Sequence, residues 1–339
     1  MKKFVFSLIL AAALAMPAIA QDNYEYSRTE TGFASTPKFG GYYIGKYSYS
    51  DKDGAHGGDG FTQRLVRVYV DGTIYKDFKY RIQAQVNNAS MHMKDVYVEW
   101  IKYKGFQIKV GQYKRAFGFE NPMNPWDIST GDYSLMTKKL TGHSDYLGEN
   151  TSNGGRDQGI QVQGDLMKVK DNYYFIHYQI GLWNGQGINT RDLDGKKDII
   201  GTLQVQPIKN LYVGVFGWHG TFVNGATTYD RNRYALGVKW EESGYTLRSE
   251  FAHGQSNNGM GNAQAFYIVG GMPVNKWIKI SAQYQNYEQD GRKAQNILSL
   301  IPQFQIHKNL MLQMQYNYNN DKNLTDSYNE LWAEFYFRF

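Results

Sequence analysis

Cysteine is missing from all 339 residues, so neither a disulfide scaffold nor a thiolate metal site can underlie this chain. Proline is sparse, 7 in all, which removes the commonest interruption of extended strands. After residue 20 no apolar run approaches the ~20 residues that a membrane-spanning helix requires. The patterns HExxH and GxSxG do not occur, and the histidines (His56, His92, His143, His177, His219, His253, His307) are dispersed, which argues against a metallohydrolase or serine hydrolase. His143-Ser144-Asp145 gathers triad residue types, but sequence neighbours on one loop cannot aim their tips at each other as a base relay requires. Asp51-x-Asp53-Gly54 and Asp192-x-Asp194-Gly195 lack the remaining ligands and the distal Glu of a calcium loop, and read as turns. No catalytic residue, metal site or cofactor is expected. Concentrated charge is missing too. Without Lys2 and Lys3 the net charge falls from +6 to +4, and the basic residues are spread along the chain rather than gathered in a patch, so no nucleic-acid partner is expected.

Aromatic residues and glycine are what the chain has in quantity: 28 Tyr, 18 Phe, 7 Trp and 36 Gly, at a polar mean hydropathy of -0.58. The first residues stand apart from the rest. Lys2 and Lys3, an apolar run over 4–15 and the small-x-small triplet Ala18-Ile19-Ala20 describe a signal peptide, residues 1–20, cut before Gln21. Residues 21–37 are polar and irregular and read as a periplasmic tail. From residue 38 to 339, about sixteen segments of roughly ten residues alternate apolar and polar side chains, the length a tilted strand needs to cross a bilayer.

Several segments show the alternation cleanly. Phe78, Tyr80, Ile82, Ala84 and Val86 interleave with Lys79, Arg81, Gln83 and Gln85; Leu310, Leu312, Met314, Tyr316 and Tyr318 interleave with Met311, Gln313, Gln315 and Asn317. A soluble sandwich would also alternate, with its apolar faces packed together. The connections separate the two cases. Short ones near residues 104–105, 169–171, 208–210, 242–244, 274–276 and 307–309 take turns with longer polar ones near 50–60, 116–155, 184–196, 220–230, 255–263 and 319–327. Tight turns at one end and long loops at the other are the outer-membrane pattern. The fold class expected is therefore all-β, a 16-stranded antiparallel transmembrane β-barrel.

The longest connection interrupts this order. Residues 116–155 show no sustained period, carry Pro122 and Pro125, and at about forty residues are too long for an idle loop in a compact domain. The expectation is that this third surface loop folds inward as a constriction, with Trp126 and Tyr133 pinning it. Its cations are Lys138 and Lys139; its acids are Glu120, Asp127, Asp132, Asp145 and Glu149. Pleat phase places Arg67, Lys79, Arg81, Lys109, Arg115, Arg233, Lys239, Arg248, Lys279 and Arg338 toward the lumen, against Asp95, Glu99, Asp165, Glu241, Glu250 and Glu334. That balance is mildly basic. Lys138 and Lys139 at the narrowest point, and an acidic loop facing a basic wall, would set a field across the pore that biases small solutes.

Four segments in order, VGQYKRAFGFENP (110–122), RDQGIQVQGDL (156–166), YQIGLWNGQGIN (178–189) and KNLYVGVFGWHG (209–220), resemble the phosphate-selective porin O and P family, and the aromatic, Asn-rich character is similar to its Bacteroidetes members. The resemblance runs from about residue 38 onward. It implies a homotrimeric 16-stranded diffusion channel whose third surface loop forms the constriction. The last strand, with Leu331, Ala333, Phe335, Phe337 and Phe339 on one face, resembles the signal that hands Gram-negative barrels to the outer-membrane assembly machinery. The implied surroundings are the lipid bilayer and lipopolysaccharide, and the implied cargo is small hydrophilic solutes or anions. The expected function is passive diffusion, unselective or mildly anion-selective. Two alternatives stay open: a phosphate or oxyanion channel, and a non-transporting barrel serving as adhesin or scaffold.

Overall fold

The computed structural model describes residues 35–52, 59–87, 90–143, 154–170, 172–255, 261–324 and 326–339. The expected signal peptide, residues 21–34 of the tail, and Ser144, Asp145 and Glu149 of the long loop lie outside the described residues. The strands are β1 (Lys38–Ser50), β2 (Gly60–Ile74), β3 (Phe78–Asn87), β4 (Ser90–Tyr103), β5 (Phe106–Lys114), β6 (Arg156–Lys168), β7 (Tyr174–Trp183), β8 (Asp198–Ile208) and β9 (Leu211–His219), then β10 (Thr221–Asn224), β11 (Thr227–Asp230), β12 (Arg233–Glu242), β13 (Tyr245–Gln255), β14 (Asn262–Pro273), β15 (Ile278–Gln289), β16 (Gln295–His307), β17 (Leu310–Asp321) and β18 (Tyr328–Arg338). A one-and-a-half-turn helix, α1 (Leu135–Leu140), interrupts the long loop.

Sixteen of these strands close into one antiparallel barrel in chain order, with β9 pairing β12 and β1 closing on β18. The remaining two, β10 and β11, form a separate hairpin within a connection that the sequence pattern left as plain loop. At the closing seam the backbone of Phe339 exchanges both hydrogen bonds with Gly41, extending the β1–β18 ladder by one pair. The described end of the tail is anchored, since Thr73 donates its backbone N–H to Ser35 Oγ at 2.9 Å.

The barrel is inside-out relative to a soluble protein. Val98, Val110, Ile160, Leu203, Leu236 and Leu298 are exposed on the outer face, while Gln83, Gln283, Gln313, Asn317, Arg248 and Glu334 are buried inside. A polar interior beneath an apolar exterior is stable only if the exterior meets lipid, and closure leaves no strand edge with unpaired backbone. The expected short turns near residues 104–105, 208–210, 242–244, 274–276 and 307–309 form, and the one near 169–171 includes Asp171, which lies outside the described residues. A further one at Tyr75-Lys76-Asp77 takes two non-glycine residues to positive φ (48° and 61°), in keeping with the hairpin turns whose twist matches that of the strands.

Two irregularities alter which side chains face inward. The β1–β2 register shifts so that Ile44 opposes Leu65 and Gly45 opposes Gln63, leaving Arg64 as the extra residue of a bulge. The β3–β4 register shifts so that Ile82 opposes Val96 and Ala84 opposes Met93, and both Lys94 and Asp95 are buried. Bulges re-aim side chains that strict alternation would send to the other face.

Candidate functional site

Residues 116–143 lie against the inner face of the barrel and are tied to it strand by strand. Phe117 packs edge-on against Trp218 (ring centroids 5.5 Å) and Phe119 against Phe216 (5.2 Å). Glu250 accepts from the backbone N–H of both Phe119 (2.6 Å) and Glu120 (2.9 Å). Arg248, fully buried, donates to Glu120 Oε1 (3.3 Å) and to the carbonyl of Ile128 (2.8 Å). Further along, Gln315 accepts from Gly131 N–H (2.6 Å) and Gln285 from Leu135 N–H (2.7 Å), while Arg233 donates to the carbonyl of Leu140 (2.8 Å). These partners belong to β9, β12, β13, β15 and β17, so the segment lies within the lumen rather than standing above it.

The local sequence explains the shape. Ser134 caps α1 by accepting from Thr137 N–H at 3.2 Å, and Glu120 reaches back to accept from Ser134 N–H and Oγ at 2.8 and 2.6 Å. The helix buries Leu135, Met136, Thr137 and Leu140 and carries Lys138 and Lys139 in its last turn, packed on β13, β14 and β15. Trp126 reaches the far wall, edge-on to Tyr336 (5.6 Å) and under the guanidinium of Arg338 (4.6 Å). There it meets an apolar patch of Tyr42, Ile44, Met311 and Tyr336 inside the barrel, including a methionine that the alternation alone had put on a polar face.

Between this segment and the β2–β6 wall a cleft of ≈ 190 Å³ stays open, lined on the wall by Arg67, Arg81, Lys109, Lys114, Arg156 and Asp95 and on the segment by Pro122, Met123, Asn124 and Pro125. Two of the cations are compensated in place: Arg156 pairs with Asp95 at 2.7 Å, and Arg81 with Asp71 at 2.7 Å. The other three are held by neutral hydrogen-bond and ring partners, with Glu99 opposite Lys109 on the neighbouring strand. Arg67 donates to Tyr42 Oη (2.7 Å) and Gln85 (3.3 Å). Lys109 sits over the rings of Tyr97 (3.8 Å) and Tyr113 (4.5 Å). Lys114 donates to the carbonyl of Met123 (2.5 Å) and to Tyr133 Oη (2.8 Å). The five basic side chains of this wall outnumber the carboxylates of Asp71, Asp95 and Glu99, and the loop residues that line the cleft are uncharged, an arrangement that biases the potential there toward positive.

The expected site residues therefore divide. Arg67, Arg81 and Lys109 come together at the cleft. Lys79 is exposed outside it, Arg115 is buried beside Asp157 (3.6 Å) and over Trp218 (4.6 Å), and Arg248 and Glu120 are spent on each other inside the packing. Asp127 is exposed. Lys138 pairs with Asp132 at 2.5 Å, and Asp132 also pairs with Arg64 at 3.0 Å. Burial opposes ionisation of Asp132, yet Lys138, Arg64 and Lys46 together hold its carboxyl well below the usual carboxylate range, so Asp132 stands as a carboxylate against Lys138 and Arg64. This corrects two expectations: Lys138 does not act as an uncompensated cation, and among the described residues the loop face turned to the basic wall has no carboxylate. His143 is packed on the ring of Tyr133 (4.3 Å), and burial, with Lys114 and Arg156 nearby, pushes its pKa well down, so it adds no charge. Pleat counting missed Lys114 and Arg156, cross-strand partners at the root of the long loop, and Arg64, which the bulge turns inward. The flanking position of the first two was the available signal.

The chain matches the family model described as Gram-negative porin over residues 7–324. No curated protein matches it in sequence. Among solved structures it is similar to the anion-selective porin from Comamonas acidovorans, with a TM-score of 0.69 at 16% identity over 90% of this chain and 100% of that one. It is also similar to OmpT, an outer membrane protein of Vibrio cholerae, in trimer form (TM-score 0.63, 11% identity, 91% and 100% covered), and to the outer membrane channel DcaP of Acinetobacter baumannii (TM-score 0.64, 11% identity, 90% and 97% covered). At such identities the likeness is one of fold.

Proposed function

The chain belongs to the Gram-negative porin family, and from that premise we propose that residues 116–143 narrow its pore and that the passage left beside β2–β6 favours small anions. As a porin it resides in the outer membrane and passes small hydrophilic solutes by passive diffusion. The observation that carries the selectivity is the trio Arg67, Lys109 and Lys114, held by neutral partners at a cleft of ≈ 190 Å³. Cationic side chains at a constriction attract anions where field lines are concentrated. Single-channel recording in a salt gradient tests this: steps with an anion-preferring reversal potential are expected, and a cation preference overturns it. A scaffold or adhesin with a closed lumen gives no steps at all.

A second reading, a channel for phosphate or other oxyanions as in the phosphate-selective porins O and P, is favoured by the five basic side chains around that one cleft. If it holds, millimolar phosphate interrupts chloride current; if chloride conductance is indifferent to phosphate, the channel is a general one. The reading extends to assembly as a homotrimer, in line with the trimer form of the Vibrio OmpT structure, with residues 1–20 removed on export and Phe339 recognised by the outer-membrane assembly machinery.

A further inference from the structure

The hold on Phe119 comes from a row of residues that crosses three strands at one level. Gly214 on β9 opposes Gly237 on β12, and Gly237 opposes Glu250 on β13. A Cβ on Gly214 would stand 2.8 Å from Phe119 Cζ, and a Cβ on Gly237 would stand 2.9 Å from Phe119 Cδ2. Both approaches are closer than side-chain carbons tolerate, so the two glycines together form a recess that fits this ring and no Cβ of their own. Glu250 closes the recess by accepting the N–H groups of Phe119 and Glu120. The row continues to Tyr267, the cross-strand partner of Glu250 on β14, whose hydroxyl donates to Glu250 Oε1 at 2.5 Å. The loop is shaped to match. Gly118 takes φ +80, and a Cβ there would meet Glu250 Oε2 at 2.8 Å, so only glycine allows the chain to approach the carboxylate this closely.

We infer that Gly214, Gly237 and Glu250 are positioning residues that set the bore of the pore, although none of them lines the cleft. Their role presupposes that residues 116–143 are the constriction proposed above. A buried carboxylate receiving two backbone N–H groups and a phenol favours the docked loop, because withdrawal would exchange these charge-assisted hydrogen bonds, made away from solvent, for bonds to lumen water. The ring in its glycine recess adds a steric register, because the segment can dock at one depth only. Together they hold the loop root against β9, β12 and β13, which leaves the opening on the opposite wall, at Arg67, Lys109 and Lys114.

The test uses the full-length protein reconstituted in planar bilayers, with heat-modifiable migration confirming that each variant has folded. Gly237→Val should push Phe119 off its wall toward the cleft and lower single-channel conductance, on the order of two-fold for a constriction narrowed by one side chain, with a smaller solute exclusion limit in liposome swelling. Glu250→Gln keeps the volume but replaces one acceptor oxygen with an N–H donor that faces another donor, which loosens the loop root, and should increase current fluctuation with a smaller change in mean conductance. Gly217→Val on the same strand, where an added Cβ meets nothing within 4 Å, should leave both readings at wild type. Adding Phe119→Ala should make Gly237→Val silent relative to Phe119→Ala alone, the coupling expected of groups in direct contact. If Gly237→Val and Glu250→Gln both keep wild-type conductance and exclusion while deletion of residues 122–133 raises them, the row is ordinary wall packing and the inference fails with the constriction intact. If the deletion also changes nothing, the constriction reading fails with it.

Discussion

Reversing the charge of Lys109 is the sharpest probe of the anion preference. Its ammonium lies over two tyrosine rings at the cleft, and an ion that permeates through that cleft would pass within ~5 Å, where a unit charge in a water-like medium is worth ~0.8 kcal/mol. At 0.1 M salt the screening length of ~10 Å reduces this to ~0.5 kcal/mol. Lys109→Glu reverses the sign, a change of ~1 kcal/mol for the anion and the opposite for the cation, which moves the permeability ratio by up to ~2 kcal/mol, on the order of 30-fold. Lys109→Gln should give about half of that free-energy shift, and guards against a fold defect caused by placing a second carboxylate opposite Glu99. Reversal potentials in a ten-to-one potassium chloride gradient give the ratio directly. The double change Lys138→Glu and Lys139→Glu lies away from the cleft lining and removes the partner of Asp132, so it should move the ratio less. If the double variant shifts selectivity as much as Lys109→Glu, or if Lys109→Glu leaves the ratio unchanged, the basic wall is not where ions are selected.

Three further outcomes follow from the barrel. Val110, exposed at the middle of β5, should cost ~2–4 kcal/mol when changed to Arg if it lies near the bilayer midplane, although Lys109 beside it is already a lysine; denaturant titration in lipid vesicles measures this, and a cost near zero would mean that the outer face does not meet lipid. Deleting Phe339 removes one ladder pair with Gly41 and the terminal aromatic, and should lower the amount of heat-modifiable barrel in the outer membrane while export continues; wild-type amounts would remove Phe339 from any assembly role. N-terminal sequencing of the purified protein should read Gln-Asp-Asn from Gln21, and a chain still beginning at Met1 would refute the cleaved signal.

Strand number, strand order and the inverted polarity of the barrel were legible in the sequence because a period of two is local. Each of Leu310 to Tyr318 needs only its neighbours to declare which face it occupies, and short turns declare which strands are adjacent. The strand starts at Lys38, Phe106 and Arg156 were read for the same reason. The site was less legible because its chemistry depends on contacts between distant residues. Arg67, Arg81 and Lys109 could be assigned to the lumen, but not distinguished from Arg115 and Arg248, whose charges are spent on Asp157 and Glu120. Nothing local to Lys138 announces that Asp132 will meet it, and no alternation survives a bulge, so Arg64 and Lys94 were beyond pattern reading. The recess of Gly214 and Gly237 is the clearest case: in the sequence they are two of 36 glycines, and only the pairing of β9 with β12 turns two missing side chains into a place for the ring of Phe119.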